Sequence, residues 1–252
     1  AGSDALDFQG MLDFAHNVGG PALRDMTFHD RARLIKALAL HLNDHRDELY
    51  ELSYQTGATL ADSKIDIDGG IGTLLVFASK GRREMPDDRV YTDGDTEVLS
   101  RNGTFLGKHV CTPLQGAAIH INAFNFPIWG MLEKLGPTLL AGVPAIVKPA
   151  TDTSYVTEAC VRIMAESGIF PEGSFQLIMG GTGDLLDRLG CQDVVSFTGS
   201  ANTALHLRSN QNILRNSVRF VAEQDSLNAS VLGSDVTPDA PEFEEFVKEV
   251  VR

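Results

Sequence analysis

From residue 116 onward the sequence predicts an α/β fold, a parallel sheet with helices on both faces, on three observations. Its apolar runs, such as Gly142-Val143-Pro144-Ala145-Ile146-Val147, are strand-sized. They alternate with helical segments, the order that produces parallel strands joined by covering helices. Each apolar run also ends in residues suited to contact a ligand, where such sheets bind their ligands.

The first third reads as helices. Residues 5–18 are amphipathic and are expected to stop at Gly19-Gly20-Pro21. Thr27 is placed to cap the next helix, with Asp30 in its first turn. Leu34, Leu38, Leu42, Leu49 and Leu52 keep helical spacing up to Gly57. Residues 62–80 form a third helix whose Gly69, Gly70 and Gly72 each cost about 1 kcal/mol. Close packing or a kink is expected there. Residues 86–95 are polar and turn-rich, and residues 97–110 read as a hairpin turning at Asn102-Gly103.

The alternating part follows. Strands are expected at 117–123, 145–148, 175–179, 194–197 and 218–222. Helices are expected at 129–140 and 153–167, a short one at 184–189, and another from Asn202. The exits carry Asn125 in Asn125-Phe126-Pro127, Lys148 before Pro149-Ala150-Thr151, and Gly180 in Gly180-Gly181-Thr182-Gly183. Thr198-Gly199-Ser200 follows Phe197, and Glu223 ends the last strand.

Composition bounds the function. The chain has 252 residues, 43% hydrophobic and 22% charged, so a packed core is expected and global disorder is not. Lys and Arg number 21 against 34 Asp and Glu, a formal net charge of -13. That balance argues against a nucleic-acid scaffold and against docking on an anionic membrane. No apolar run approaches the roughly 18 residues of a membrane span. Cys111, Cys160 and Cys191 lie far apart, without a C-x-x-C pair, which fits a reduced, cytoplasmic setting. No signal peptide is visible, and the abrupt start and end read as a fragment of a longer polypeptide.

Familiar motifs are incomplete. Gly181-Thr182-Gly183 lacks the third glycine of a dinucleotide fingerprint. Gly103-Thr104-Phe105-Leu106-Gly107-Lys108-His109 is one residue short of a phosphate loop. His41 and His45 are spaced as metal ligands, but Leu42 replaces the glutamate of H-E-x-x-H, so no metal site is assigned. His120 lies in an apolar strand and reads as a core or edge histidine. Lys148 ends a buried strand and needs a partner, and Glu223 is placed to be a partly desolvated base. Phe197-Thr198-Gly199-Ser200 offers a helix N-terminus to a pyrophosphate. None of the four tyrosines has a lysine four residues on, against a short-chain dehydrogenase.

Taken together, Asn125-Phe126-Pro127, Lys148-Pro149-Ala150, Phe197-Thr198-Gly199-Ser200 and Glu223 resemble the aldehyde dehydrogenase superfamily over residues 116–228. A closer resemblance, to the dehydrogenase part of the PaaZ proteins of phenylacetate breakdown, rests on three further segments. They are residues 120–135, Gln55-Thr56-Gly57-Ala58-Thr59 and Asp225-Ser226-Leu227-Asn228. Dehydrogenases of the benzoyl-CoA pathway stand next.

The resemblance implies a Rossmann-like cofactor domain over 1–228, an oligomerisation hairpin at 97–110, and a truncated catalytic domain from 229 to 252. It implies NADP-dependent oxidation, with NAD as the alternative, of a coenzyme A-linked semialdehyde. The substrate would be 3-oxo-5,6-dehydrosuberyl-CoA semialdehyde or, in the second branch, 3,4-dehydroadipyl-CoA semialdehyde. A noncatalytic nucleotide-binding fragment is the reading from another class. Asn125 would donate to the oxyanion, Glu223 would be the general base, and Lys134 would lie near the site. Lys148, Ala150, Thr151, Gly180, Phe197, Thr198, Gly199 and Ser200 would hold the cofactor. Thr151 stands where many NAD-preferring relatives carry glutamate, which favours NADP. Ala204 replaces a usual glycine, and Gln-Asp-Ser after Glu223 replaces the Leu-Gly-Gly of most relatives. The family's nucleophilic cysteine would lie beyond the helix that begins near Glu242, so this chain alone is expected to be inactive. The resemblance also implies a homo-oligomer.

Overall fold

The computed structural model describes residues 3, 5–225 and 229–251. Ser226, Leu227 and Asn228 of the motif after Glu223, and with them the expected boundary at 228, lie outside the described residues.

The N-terminal helices form one layer. Helix α1 (Phe8–Phe14) begins at Asp7, whose carboxylate accepts from the Gly10 N–H at 2.9 Å. It does not stop at the glycines as expected. The chain passes through a wide turn, Ala15–Gly19, into α2 (Gly20–Arg24), with Pro21 in the first turn, where no N–H is needed. Gly19 packs directly on the Gly173 backbone, a contact that leaves no room for a side chain. Thr27 and Asp30 close a reciprocal cap on α3 (Phe28–Asp44). The helical stretch then breaks at His45 and resumes as α4 (Arg46–Ser53). Helix α5 (Leu60–Arg83) is a single long element with its own Thr59–Asp62 cap. Gly69, Gly70 and Gly81 allow contact with α6 (Trp129–Leu140): a Cβ on Gly69 would fall 2.7 Å from the Trp129 ring, while Gly72 faces open space.

Strands β1 (Tyr91–Val98) and β2 (Leu106–Cys111) form the expected antiparallel ribbon, with Gly103 left-handed at its tip. The strand already starts at Tyr91, inside the stretch expected to be turns, and a register shift between Asp93 and Glu97 takes up the polar residues.

The sheet is wholly parallel. Its strands are β3 (Ala118–Ile121), β4 (Ala145–Lys148), β5 (Phe175–Leu177), β6 (Val194–Gly199) and β7 (Arg219–Gln224). Their spatial order is β5-β4-β3-β6-β7. One face packs on α3, α5, α6 and α7 (Ser154–Glu166), where Leu38, Leu74, Leu135, Val147 and Ile163 share a core. The other face packs on α1, α8 (Ala201–Arg208) and α9 (Gln211–Arg215), around Ile119, Ile146, Val195 and Phe197. Burying such side chains contributes about 1.5–3 kcal/mol each. Among the described residues β7 is an edge strand: Val221 is 62% exposed, so cover on both faces fails there. Helix α10 (Pro241–Val251) follows. No described helix is long and apolar enough to cross a membrane.

Two buried charges tie layers together. Arg31, wholly buried, donates to the carbonyls of Leu23, Met26 and Leu140 and so caps the ends of α2 and α6. Asp193 accepts from His16 Nε2 at 2.8 Å and from the N–H groups of Ala117 and Gly190. Asp193 raises the His16 pKa, mainly through their hydrogen bond. Burial opposes ionisation of Asp193, yet these bonds hold its pKa below the usual value. The His16 contribution is therefore complete below about pH 6.5 and disappears as pH rises through the raised folded pKa. The Asp193 contribution is complete above about pH 4 and disappears on acidification. Urea midpoints should show the stability advantage of wild type over His16→Gln falling by about 0.5 kcal/mol between pH 6 and pH 8.5. An advantage that stays constant across that range would reject the pairing.

Candidate active site and cofactor crevice

Strands β3 and β6 are neighbours, although the chain leaves β3 toward β4 and reaches β6 only after β5. The connections diverge on either side of this pair, which opens a crevice at the carboxyl ends. It measures about 860 Å³. Its walls bring together Asn125, Lys148, Ala150, Thr151, Phe197, Thr198, Gly199, Ser200 and Glu223. Gly180 does not line it. It follows β5, two strands away or about 10 Å at ordinary strand spacing, and packs against Ser3.

The register sorts these side chains onto two faces. Ile121 pairs with both Lys148 and Phe197, so Lys148 and Phe197 project on the same side. Thr198 pairs with Glu223 one residue later, on the opposite side. The crevice therefore straddles the sheet, with an ammonium at one end and a carboxylate at the other. Lys148 is half-buried, its ammonium has no hydrogen-bond or ion-pair partner among the described residues, and burial lowers its pKa. Such a group favours an anionic ligand.

Glu223 departs from expectation. It is exposed rather than desolvated, because edge strand β7 has no neighbour beyond it among the described residues. Thr198 Oγ1 donates to Glu223 Oε2 at 3.2 Å, which orients the carboxylate.

At the opposite wall, Ser200 caps α8 by accepting from the Thr203 N–H at 3.2 Å. The Ala201 N–H donates to Asp225 Oδ1 at 3.1 Å, so a carboxylate already sits where a phosphate is expected. Asp225 is left-handed, with φ 50°. Asp152 also lines the crevice, beside Thr151.

Asn125 lies where three cavities meet. Besides the crevice it lines a space of about 260 Å³ shared with Trp129, Glu133, Thr198 and Glu223. It also lines one of about 480 Å³ shared with Asp62 and Asp66. Phe124 and Phe126 are exposed on either side of it. Lys134 Nζ lies 3.2 Å from Glu133 Oε1 and donates to the Gly130 carbonyl. His120 is buried as expected: its Nε2 lies 3.1 Å from Thr138 Oγ1, and burial, aided by Lys134, pushes its pKa down to about 3. Cys160 is buried, and burial raises its thiol pKa, so it stays an unreactive apolar side chain.

Sequence reasoning missed Asp66, Asp225, Asp152 and Glu133 as neighbours of the site. Asp66 did leave a signal: it falls on the buried stripe of α5 beside Ser63, Ile67 and Gly70.

Comparison with known proteins agrees with this architecture. The description "Aldehyde dehydrogenase family" matches residues 2–252. A 3,4-dehydroadipyl-CoA semialdehyde dehydrogenase of Aromatoleum evansii is 43% identical over 251 residues, covering 99% of this chain and 48% of that protein. The NADP(+) succinate-semialdehyde dehydrogenase GabD of Escherichia coli (strain K12) is 27% identical over 197 residues, covering 77% of this chain and 39% of that protein. A point mutant of betaine aldehyde dehydrogenase from Staphylococcus aureus, solved with NAD+, superposes with a TM-score of 0.73 at 26% identity. That match covers 90% of this chain and 43% of the solved one. The chain thus spans less than half the length of these relatives.

Proposed function

We propose, since the chain belongs to the aldehyde dehydrogenase family, that it is the cofactor-binding half of an NADP-dependent dehydrogenase acting on a coenzyme A-linked semialdehyde. The observation that carries this reading is the crevice straddling the β3–β6 exit, with Lys148 on one face and Glu223 and Asn125 at the other end. When bound, the cofactor accepts hydride from the aldehyde carbon. The Asn125 amide donates to the oxygen that gains charge at that carbon. Glu223, oriented by Thr198, takes the proton of the attacking thiol or water. The attacking thiol is proposed to come from sequence beyond this chain. The Ala201 N–H at the start of α8, which now donates to Asp225, would be available to hold the cofactor's diphosphate. Gly180 has no part in this arrangement.

The relative that is 43% identical supports 3,4-dehydroadipyl-CoA semialdehyde as the substrate, ahead of the longer 3-oxo-5,6-dehydrosuberyl compound. The exposed apolar side chains of the ribbon, among them Val98, Leu99, Phe105 and Leu106, support pairing with a second copy. The proposed setting is the cytoplasm, on the strength of the unpaired cysteines.

NADPH absorbance followed with the full-length protein and this thioester semialdehyde tests the reading. Steady formation of NADPH supports it. Nucleotide binding with no turnover of any coenzyme A-linked semialdehyde would leave a binding module instead.

NADP rests on the unpaired Lys148 ammonium beside Thr151. NAD is the second reading because Asp152 brings a carboxylate to the same wall, and a carboxylate accepts from a ribose 2′-hydroxyl. Thr151→Glu is expected to shift preference toward NAD by about tenfold or more, through repulsion of the 2′-phosphate. The ratio of kcat/KM for the two cofactors measures this, and an unchanged ratio rejects the assignment of Thr151.

A further inference from the structure

The chain on either side of Asn125 is held by side chains from elsewhere in the sequence. Before it, the Phe124 carbonyl accepts from Thr153 Oγ1 at 3.1 Å. After it, the Pro127 carbonyl accepts from Thr157 Oγ1 at 2.9 Å in a fully buried bond. Next, Asp66 Oδ1 accepts from the N–H groups of Ile128 at 3.2 Å and Trp129 at 2.7 Å. Asp66 is 4% exposed and Thr157 wholly buried. Ile128 offers no side-chain cap to α6, so Asp66, more than sixty residues earlier, caps it from α5.

Burying a carboxylate is costly unless its hydrogen bonds are good. Here burial pushes the Asp66 pKa up to about 6, against the bonds from Trp129 and Ile128. The hydroxyl of Thr157 is likewise buried for one carbonyl. Together with Thr153 at the Phe124 end, these two buried groups on two different helices bracket a six-residue span that contains Asn125. An exposed loop with flanking aromatics has no such constraint of its own.

We propose that Asp66, Thr153 and Thr157 are positioning residues that fix the backbone of Asn125 so that its amide meets the oxyanion. The inference rests on the reading of Asn125 as the oxyanion donor. Such donors act only when preorganised, and a displacement of about 1 Å is enough to cost about a hundredfold.

The test uses the full-length enzyme. Thr157→Val keeps the shape and removes the hydroxyl, and is expected to lower kcat by about tenfold, with cofactor Kd and aldehyde KM within about twofold. Thr157→Ser should restore kcat. Asn125→Ala combined with Thr157→Val should be no slower than Asn125→Ala alone, because Thr157 has nothing left to position. Thr153→Val gives an independent arm if Thr157→Val does not fold, with the same expectations. An unchanged kcat in the valine variants overturns the proposal, as does a further loss in the double variant. If Asn125→Ala itself turns over at the wild-type rate, the oxyanion reading falls as well. If it is slow and the valine variants are not, the positioning proposal falls alone.

Discussion

Glu223→Gln in the full-length protein is expected to slow aldehyde oxidation by about 10³-fold while leaving cofactor binding intact. Glutamine keeps the size of the side chain and an oxygen that can accept from Thr198 Oγ1, now 3.2 Å from the carboxylate. It cannot take a proton. Glu133, the other carboxylate lining the small cavity shared with Asn125, is paired with Lys134 at 3.2 Å. Single-turnover formation of NADPH reads the chemical step, and NADPH fluorescence reads binding. Undiminished turnover refutes the assignment of Glu223 as base. Lost turnover with equally lost binding makes it a cofactor ligand instead.

Asn125→Ala should slow turnover by about 10²-fold or more, as removal of one preorganised donor does. Alanine leaves the anchors on Phe124, Pro127 and Ile128 untouched, so the backbone path should persist. The loss should appear in kcat rather than in KM, because the amide acts on charge that develops only during reaction. A rise in KM at constant kcat would make Asn125 a substrate-binding residue and remove it from the oxyanion site.

The sheet was legible because its strands are short apolar runs punctuated by glycine, proline and polar exits. Strand β4 and helix α6 fall at 145–148 and 129–140 as expected. The N-terminal helices were harder to delimit. The chain continues past Gly19-Gly20-Pro21 because Gly19 packs against Gly173, a contact made more than 150 residues away. The glycines of α5 were read as close packing or a kink; Gly69 and Gly70 do pack closely, on Trp129, a partner the sequence did not reveal, whereas Gly72 faces open space. Most of the crevice was legible as a set of strand exits. Gly180 failed because an exit motif does not tell where its strand lies in the sheet, and β5 is at the edge. The exposure of Glu223 failed for the same reason at the other edge. Asp66 escaped notice, and Asp225 was noted only as part of a motif, because their roles are to bind the N-termini of helices formed by distant sequence.

The alternation along β6 and β7 makes the chemistry dependent on counting by twos. Thr198 and Glu223 share one row and Phe197 and Lys148 the row before, on the other side of the sheet. A one-residue insertion within β7 ahead of Glu223 would turn its carboxylate to the other face, and one within β6 ahead of Thr198 would do the same to the hydroxyl that orients it. A stray residue at the tip of the β1–β2 ribbon would invert nothing. Descendants of this sequence should therefore vary in length at Asn102-Gly103 and keep a fixed count between Val194 and Gly199.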